Sequence, residues 1–183
     1  MMSIVQKEKP HCLWVAIDHD DVFIRLTGRA TFAISPSLKQ LGSTLINRPC
    51  GRFVLDMAEC ECIDSTFIGV LAGFSMRLKK TTGSSIIIVN LPPDIHETIC
   101  ILGLNQIASC FPTGMCPQDI QDRLQRLNNV NCIEMKPADK NTTKKTMTEA
   151  HMNLVQINSK NLPRFKDVLT FLREDLKNED NRS

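Results

Sequence analysis

The chain has 183 residues, 42% of them apolar and 23% charged, with a formal net charge of +2. That length allows one domain of ordinary size plus an appendage, and that composition allows a packed core. The charge is too small to argue for nucleic acid or an anionic membrane surface, and one Trp with no Tyr supplies few stacking platforms for single strands.

The first twelve residues are mostly polar or charged, and the apolar run after them, Leu13 to Ile17, is too short for a signal-peptide core. No apolar stretch approaches the roughly 20 residues that a membrane span needs. The expected setting is the cytoplasm, with no membrane partner. Eight Cys residues raise a disulfide or zinc reading, but Cys60-Glu61-Cys62 is one close pair with no second pair at ligand spacing. The other six stand alone in the sequence, and most of the eight read as small buried apolar residues. No metal and no cofactor is expected.

Taken in order, Leu13 to Asp18 reads as a strand, His19-Asp20-Asp21 as a turn, and Val22 to Thr27 as a second strand that ends at Gly28. Arg29 to Ser35 is a loop. Ser35-Pro36 opens a helix that buries Leu38, Leu41, Leu45 and Ile46, and Asn47 to Gly51 breaks it. Phe53 to Met57 is apolar almost throughout, as a strand covered on both faces should be. A short acidic turn through Glu59 and Glu61 leads to a helix from Asp64-Ser65-Thr66 to about Lys80. Ile86 to Val89 is another central strand, and a helix follows Pro92-Pro93, carrying Ile95, Ile99 and Leu102. Ile107 to Phe111 is a short edge strand, and Pro117 to about Leu127 is amphipathic. Strands alternating with helices after an opening hairpin predict an α/β fold, a mixed sheet of about five strands with helices packed on it.

Residues 1–130 form this domain, residues 131–145 read as a polar linker, and residues 146–183 as a helical hairpin. Met147, Ala150, Leu154 and Ile157 make one apolar stripe of the hairpin. Leu162, Phe165, Val168 or Leu169, Leu172 and Leu176 make the other. Such stripes must pack on their own domain, on a second copy as a homo-oligomer, or on another protein.

The order of elements, and the run Leu55-Asp56 followed by Ile63-Asp64-Ser65-Thr66-Phe67-Ile68-Gly69, resemble the STAS domain of bacterial anti-sigma factor antagonists over roughly residues 11 to 128. The resemblance implies a STAS-like sheet and a regulatory binding module without enzymatic activity. It also implies a partner serine kinase that doubles as an anti-sigma factor and phosphorylates Ser65, with Thr66 the second choice. Asp64, Ser65, Thr66, Phe67, Ile68 and Gly69 would then form the partner-binding surface, with Arg29 beside it. Phe67 stands where the family keeps Gly, so it could block a partner's close approach or make a contact itself. The family often reads Gly-Glu-Leu-Asp where this chain has Gly28-Arg29-Ala30-Thr31. From the residues alone, Ser65 or Thr66 reads as a helix N-cap. The alternative function is a non-switching scaffold that assembles a larger complex through its C-terminal helices.

Other chemistry finds little support. His96-Glu97-Thr98-Ile99-Cys100 lacks the second His of a zinc helix, and no Gly-rich phosphate loop is present. His11, His19, His96 and His151 fall in unrelated segments, so the sequence argues no Ser–His or Cys–His pair.

Overall fold

The computed structural model describes residues 12–46, 51–127, 131–134 and 137–180. β1 (Cys12–Asp18) and β2 (Asp21–Ala30) form the expected antiparallel hairpin, with Leu13 opposite Leu26 and Val15 opposite Ile24. α1 (Ser35–Ile46), β3 (Phe53–Ile63), α2 (Ser65–Thr82), β4 (Ile86–Leu91), α3 (Pro93–Leu102) and β5 (Ser109–Pro112) follow as strand and helix in alternation. α4 (Gln118–Arg126), β6 (Asn131–Glu134), α5 (Lys140–Ile157) and α6 (Leu162–Asp180) complete the described elements. The sheet has six strands in the order β5-β4-β3-β2-β1-β6. β2, β3, β4 and β5 run parallel to one another, while β1 is antiparallel to both β2 and β6.

The pleat of the central strands sorts their side chains between two layers. Ile24, Phe53, Leu55, Met57, Ile86 and Ile88 join the main core with Leu38, Phe67, Ile68 and Leu71 from the helices. Phe53 meets Phe74 of α2 edge to face, ring centroids 5.0 Å apart, the geometry that aromatic quadrupoles favour. On the opposite face Phe23, Val54 and Val89 pack under Ile120 of α4. Asp56 is also buried, and every oxygen has a donor: Arg25 Nε at 2.8 Å, Asn90 Nδ2 at 2.9 Å and the Ala58 N–H at 3.2 Å. A buried carboxylate is tolerable only with such complete pairing.

Three features differ from the sequence-based expectation. β2 does not stop at Gly28, which adopts φ 85° within the strand; it runs to Ala30 with register irregularities at Arg25/Thr27 and Gly28/Arg29. Its extension offers a pairing edge, so Ala58 to Ile63 is strand and not an acidic turn, with Thr27 opposite Glu59 and Ala30 opposite Ile63. Between residues 131 and 145, read above as a linker, lie β6 on the edge of β1 and the first turns of α5. β6 is too short and polar to show alternation; its pairing comes from an edge already built. The expected break at Asn47 to Cys50, and Lys136, lie outside the described residues.

α4 is fastened by charge as well as by Ile120. Arg123 reaches Asp18 and Asp21 in the β1–β2 corner and lies 4.9 Å over the Phe23 ring, and Arg52 joins Asp21 to Asp119. The Arg123 hydrogen bond holds the Asp18 carboxyl below its usual range, and Arg52 does the same for Asp119. At Asp21 burial works the other way, but Arg52 and Arg123 outweigh it and the net direction is also down. Depressed carboxyl pKa values mean stability present above the unfolded value, about 4, and lost as pH falls through the folded values. Arg123→Ala should therefore lower the thermal midpoint at pH 7, and the gap to wild type should shrink below about pH 3. Thermal unfolding at the two pH values checks this; an unchanged gap would remove the ion network from the account.

Candidate functional site

β3 passes to α2 through Asp64, and this residue does the work of the helix entrance. Its backbone is extended (φ −113°, ψ 170°), and its Oδ1 accepts from the Phe67 N–H at 2.9 Å. That is an N-cap, which satisfies one of the otherwise free amides of the first turn. The other oxygen, Oδ2, accepts from the Phe32 N–H at 2.6 Å, and the Asp64 N–H donates to the Ala30 carbonyl at 3.0 Å. One aspartate thus ties the end of β2 to the start of α2. Ser65 is the first helical residue, so the cap reading of Ser65 or Thr66 is corrected: the hydroxyl of Ser65 is not spent on capping.

The residues expected to form a docking edge separate by depth. Thr66, Phe67, Ile68 and Gly69 are buried, Phe67 and Ile68 completely, and both of these belong to the main core. Phe67 therefore fills the space beneath the helix instead of facing outwards. Arg29 is exposed, and it lies in β2 opposite Cys62, not in a loop. Asp64 and Ser65 remain partly exposed.

Ser65 is not open to solvent on every side, because α5 crosses α2 there. Its hydroxyl shares a hydrogen bond with His151 Nε2 at 3.1 Å. One turn on, a Cβ placed on Gly69 would lie 2.3 Å from the Ala150 carbonyl oxygen and 2.8 Å from the Ala150 Cα. The two helix backbones touch, and only glycine permits it. Asn153 Nδ2 donates to the Gly69 carbonyl at 3.1 Å and sits against Gly73. The hairpin is fixed at two further points. Lys39 of α1 pairs with Glu149, and the buried Asn161 in the turn between α5 and α6 donates to the carbonyls of Leu102 and Leu154. Of the packing choices open to the C-terminal helices, the chain uses its own domain. Within α6 the buried stripe runs Phe165, Leu169 and Leu172, with Leu162 and Val168 exposed.

His151, Asn153 and Asn161 are the participants that sequence reasoning missed. His151 and Asn161 are polar residues that become fully buried, and a His beside Ala150 on an apolar stripe was the available signal. The Ser–His pair that the sequence could not argue exists, across 86 positions. It is not built as a nucleophile. The His151 ring is buried and stacked at 4.5 Å on Phe165, and its Nδ1 has no carboxylate to orient it. Among the described residues, no group of three or more His, Cys, Asp or Glu is placed to hold a metal ion.

Burial holds the His151 imidazole below its ordinary pKa, although the charge on Asp64 pulls the other way. The docked state thus binds fewer protons than the undocked state, and docking weakens as pH falls through the normal His range near 6.5. Two outcomes are expected. The His151 imidazole, followed by NMR, should titrate below a free His, and should return to the ordinary value when the hairpin is undocked. Gly69→Ala should lower stability by about 1–3 kcal/mol in urea unfolding, because its Cβ meets rigid backbone. Gly73→Ala meets only the movable amide of Asn153, and its better helix propensity of about 1 kcal/mol should make it near neutral. Equal costs for the two would contradict the close crossing.

This arrangement of sheet, Asp64 turn and α2 can be set beside known proteins. The family model described as "Mlab, STAS domain" matches residues 14–112, just over half of the chain. Among solved structures, a candidate anti-sigma factor antagonist from Thermotoga maritima superposes with a TM-score of 0.51 at 16% identity, covering 61% of this chain and 93% of its own. The anti-sigma factor antagonist SpoIIAA in its unphosphorylated form gives 0.48 at 17% identity, covering 63% of this chain and 99% of its own. The Bacillus cell fate determinant SpoIIAA in its phosphorylated form gives 0.48 at 16%, covering 62% and 99%. No curated protein matches the chain significantly by sequence. β6 and the α5–α6 hairpin lie beyond the matched residues. The matched region runs from β1 to the end of β5, and the chain belongs to the STAS domain family.

Proposed function

We propose that the protein is a regulatory binding module of the anti-sigma factor antagonist kind, whose switch is phosphorylation of Ser65 by a partner serine kinase, and whose own hairpin competes for the switch surface. The observation that carries this reading is the contact between Ser65 and His151. A hydroxyl free of capping duty, at the amino end of an 18-residue helix, is held against a helix that must move before a kinase can reach it. Ser65 is preferred to Thr66 because Thr66 is buried.

Phosphorylation would add about −1.5 to −2 charges at that point. The N-terminal amides of α2 and its dipole favour the charge, so the STAS core keeps its shape. α5 does not favour it. Neutral, buried His151 and the Ala150 backbone leave no room for a hydrated dianion, and Asp64 adds like charge alongside. The phosphate thus acts as a latch: once α5 has lifted and Ser65 is modified, the hairpin does not re-dock. A protein partner that reads the α2 end would meet it in one of three states: capped by α5, bare or phosphorylated. Any ATP and magnesium belong to the kinase.

The scaffold reading keeps one specific observation in its favour. Contacts as close as Gly69 with Ala150, supported by Asn161, suit a permanently docked hairpin. There Ser65 would be only a polar contact for His151. Phosphopeptide mapping of the protein from its own cells separates the two. Phosphate at Ser65, absent from a Ser65→Ala version, is expected. Full coverage of residues 60–77 without phosphate, under conditions that activate the cell's serine kinases, would favour the scaffold. In the purified protein, Ser65→Asp should make the tether before α5 more sensitive to limited proteolysis than Ser65→Ala does, with the sheet intact in both.

A further inference from the structure

β6 does more than extend the sheet, because it brings two thiols together. Cys12 opens β1 and Cys132 lies on β6, 120 positions later, with Cys12 opposite Glu134 and Trp14 opposite Cys132 in the register. The two Cys are diagonal neighbours on antiparallel strands, and their sulfurs are 3.1 Å apart. That is inside the contact distance of two thiols and about 1 Å from a bond length of roughly 2.05 Å. One sulfur is reachable and the other sheltered: Cys132 is exposed and Cys12 is buried.

We propose that Cys12 and Cys132 are an oxidative modification site, which hydrogen peroxide converts to a disulfide joining β1 to β6. The accessible Cys132 thiolate attacks one peroxide oxygen and the O–O bond breaks, giving a sulfenic acid and a hydroxide that takes up the proton lost by the thiol as the first water. The Cys12 thiol then displaces hydroxide from that sulfur, which leaves with a proton as a second water. In sum, two thiols and one peroxide give one disulfide and two waters, with the sulfurs oxidised and the peroxide reduced.

Four other cysteines among the described residues are placed differently. Burial pushes the Cys60 and Cys110 thiols up to about 12, and Cys116 is also raised, so their thiolates are scarce. Cys100 is exposed, with His96 Nε2 as its neighbour at 3.7 Å. Selectivity therefore follows from geometry: Cys12 and Cys132 can resolve each other's oxidation. The bond would close a loop containing every element from β1 to β6. Loops of that length give a disulfide its greatest effect on the unfolded chain.

The test uses the full chain treated with hydrogen peroxide, then with iodoacetamide, and digested without reduction. The expected result is a linked pair of peptides carrying Cys12 and Cys132, lighter by two hydrogens than the two reduced peptides. The thermal midpoint should rise by several degrees and fall back on adding dithiothreitol. Cys132→Ser should leave Cys12 alkylated and remove the rise. Recovery of both thiols alkylated, oxidation of Cys132 to the sulfinic acid with Cys12 untouched, or linkage of either to Cys62 or Cys100 would overturn the proposal. The outcome is independent of whether Ser65 is phosphorylated.

Discussion

The contact on which the rest depends is the crossing of α2 and α5 at Gly69 and Ala150. Helix axes normally keep 8–10 Å apart because side chains intervene. Here a missing side chain lets one backbone rest on the other, with the Gly69 carbonyl taken by Asn153 and the Ser65 hydroxyl by His151. That single approach decides which face of the STAS core is covered. It also decides that the hydroxyl at the helix start faces protein and not only water. A Cβ at Gly69 would push α5 away, and Ser65, His151 and Phe165 would lose their packing together.

Asp64 is the second fixed point, and its role is to make Ser65 available. By capping α2 and binding Phe32 and Ala30 at the end of β2, it removes the need for Ser65 to cap. A serine at this helix end can then answer to something outside the core. Within the chain that is His151. A neutral imidazole shares a hydrogen bond with a hydroxyl, but a phosphate in the same place would meet a buried ring and a neighbouring carboxylate. Under the proposed switch, the same few atoms would support docking in one covalent state and oppose it in the other.

The sheet was largely legible in the sequence because its central strands are apolar on both faces and its helices carry regular stripes. Phe53 to Met57 and Ile86 to Val89 could scarcely be anything but buried strands. The turn region was less legible. Glu59 and Glu61 look like a solvated turn, yet they continue β3 because β2 supplies a pairing edge past Gly28, a non-local cause. β6 was invisible for the same reason. The motif around Ser65 was readable as a position, but not its surroundings. The resemblance puts Phe67, in place of a glycine, on the partner-binding surface; it is core because α2 turns it inward. His151 and Asn153 take their meaning from the 2.3 Å approach at Gly69, which no spacing in the sequence encodes.

The switch requires that α5 be docked over the start of α2 and able to lift. Hydrogen exchange of the full chain, resolved to α5 and β3, measures both properties at once. The account predicts that amides around Ala150 to Leu154 exchange at least roughly a thousandfold more slowly than in an unstructured peptide, yet faster than those of β3. Exchange of α5 at peptide rates would show that nothing covers Ser65. Exchange of α5 in step with β3 at all denaturant concentrations would show a hairpin that opens only when the whole domain unfolds, and would contradict the switch.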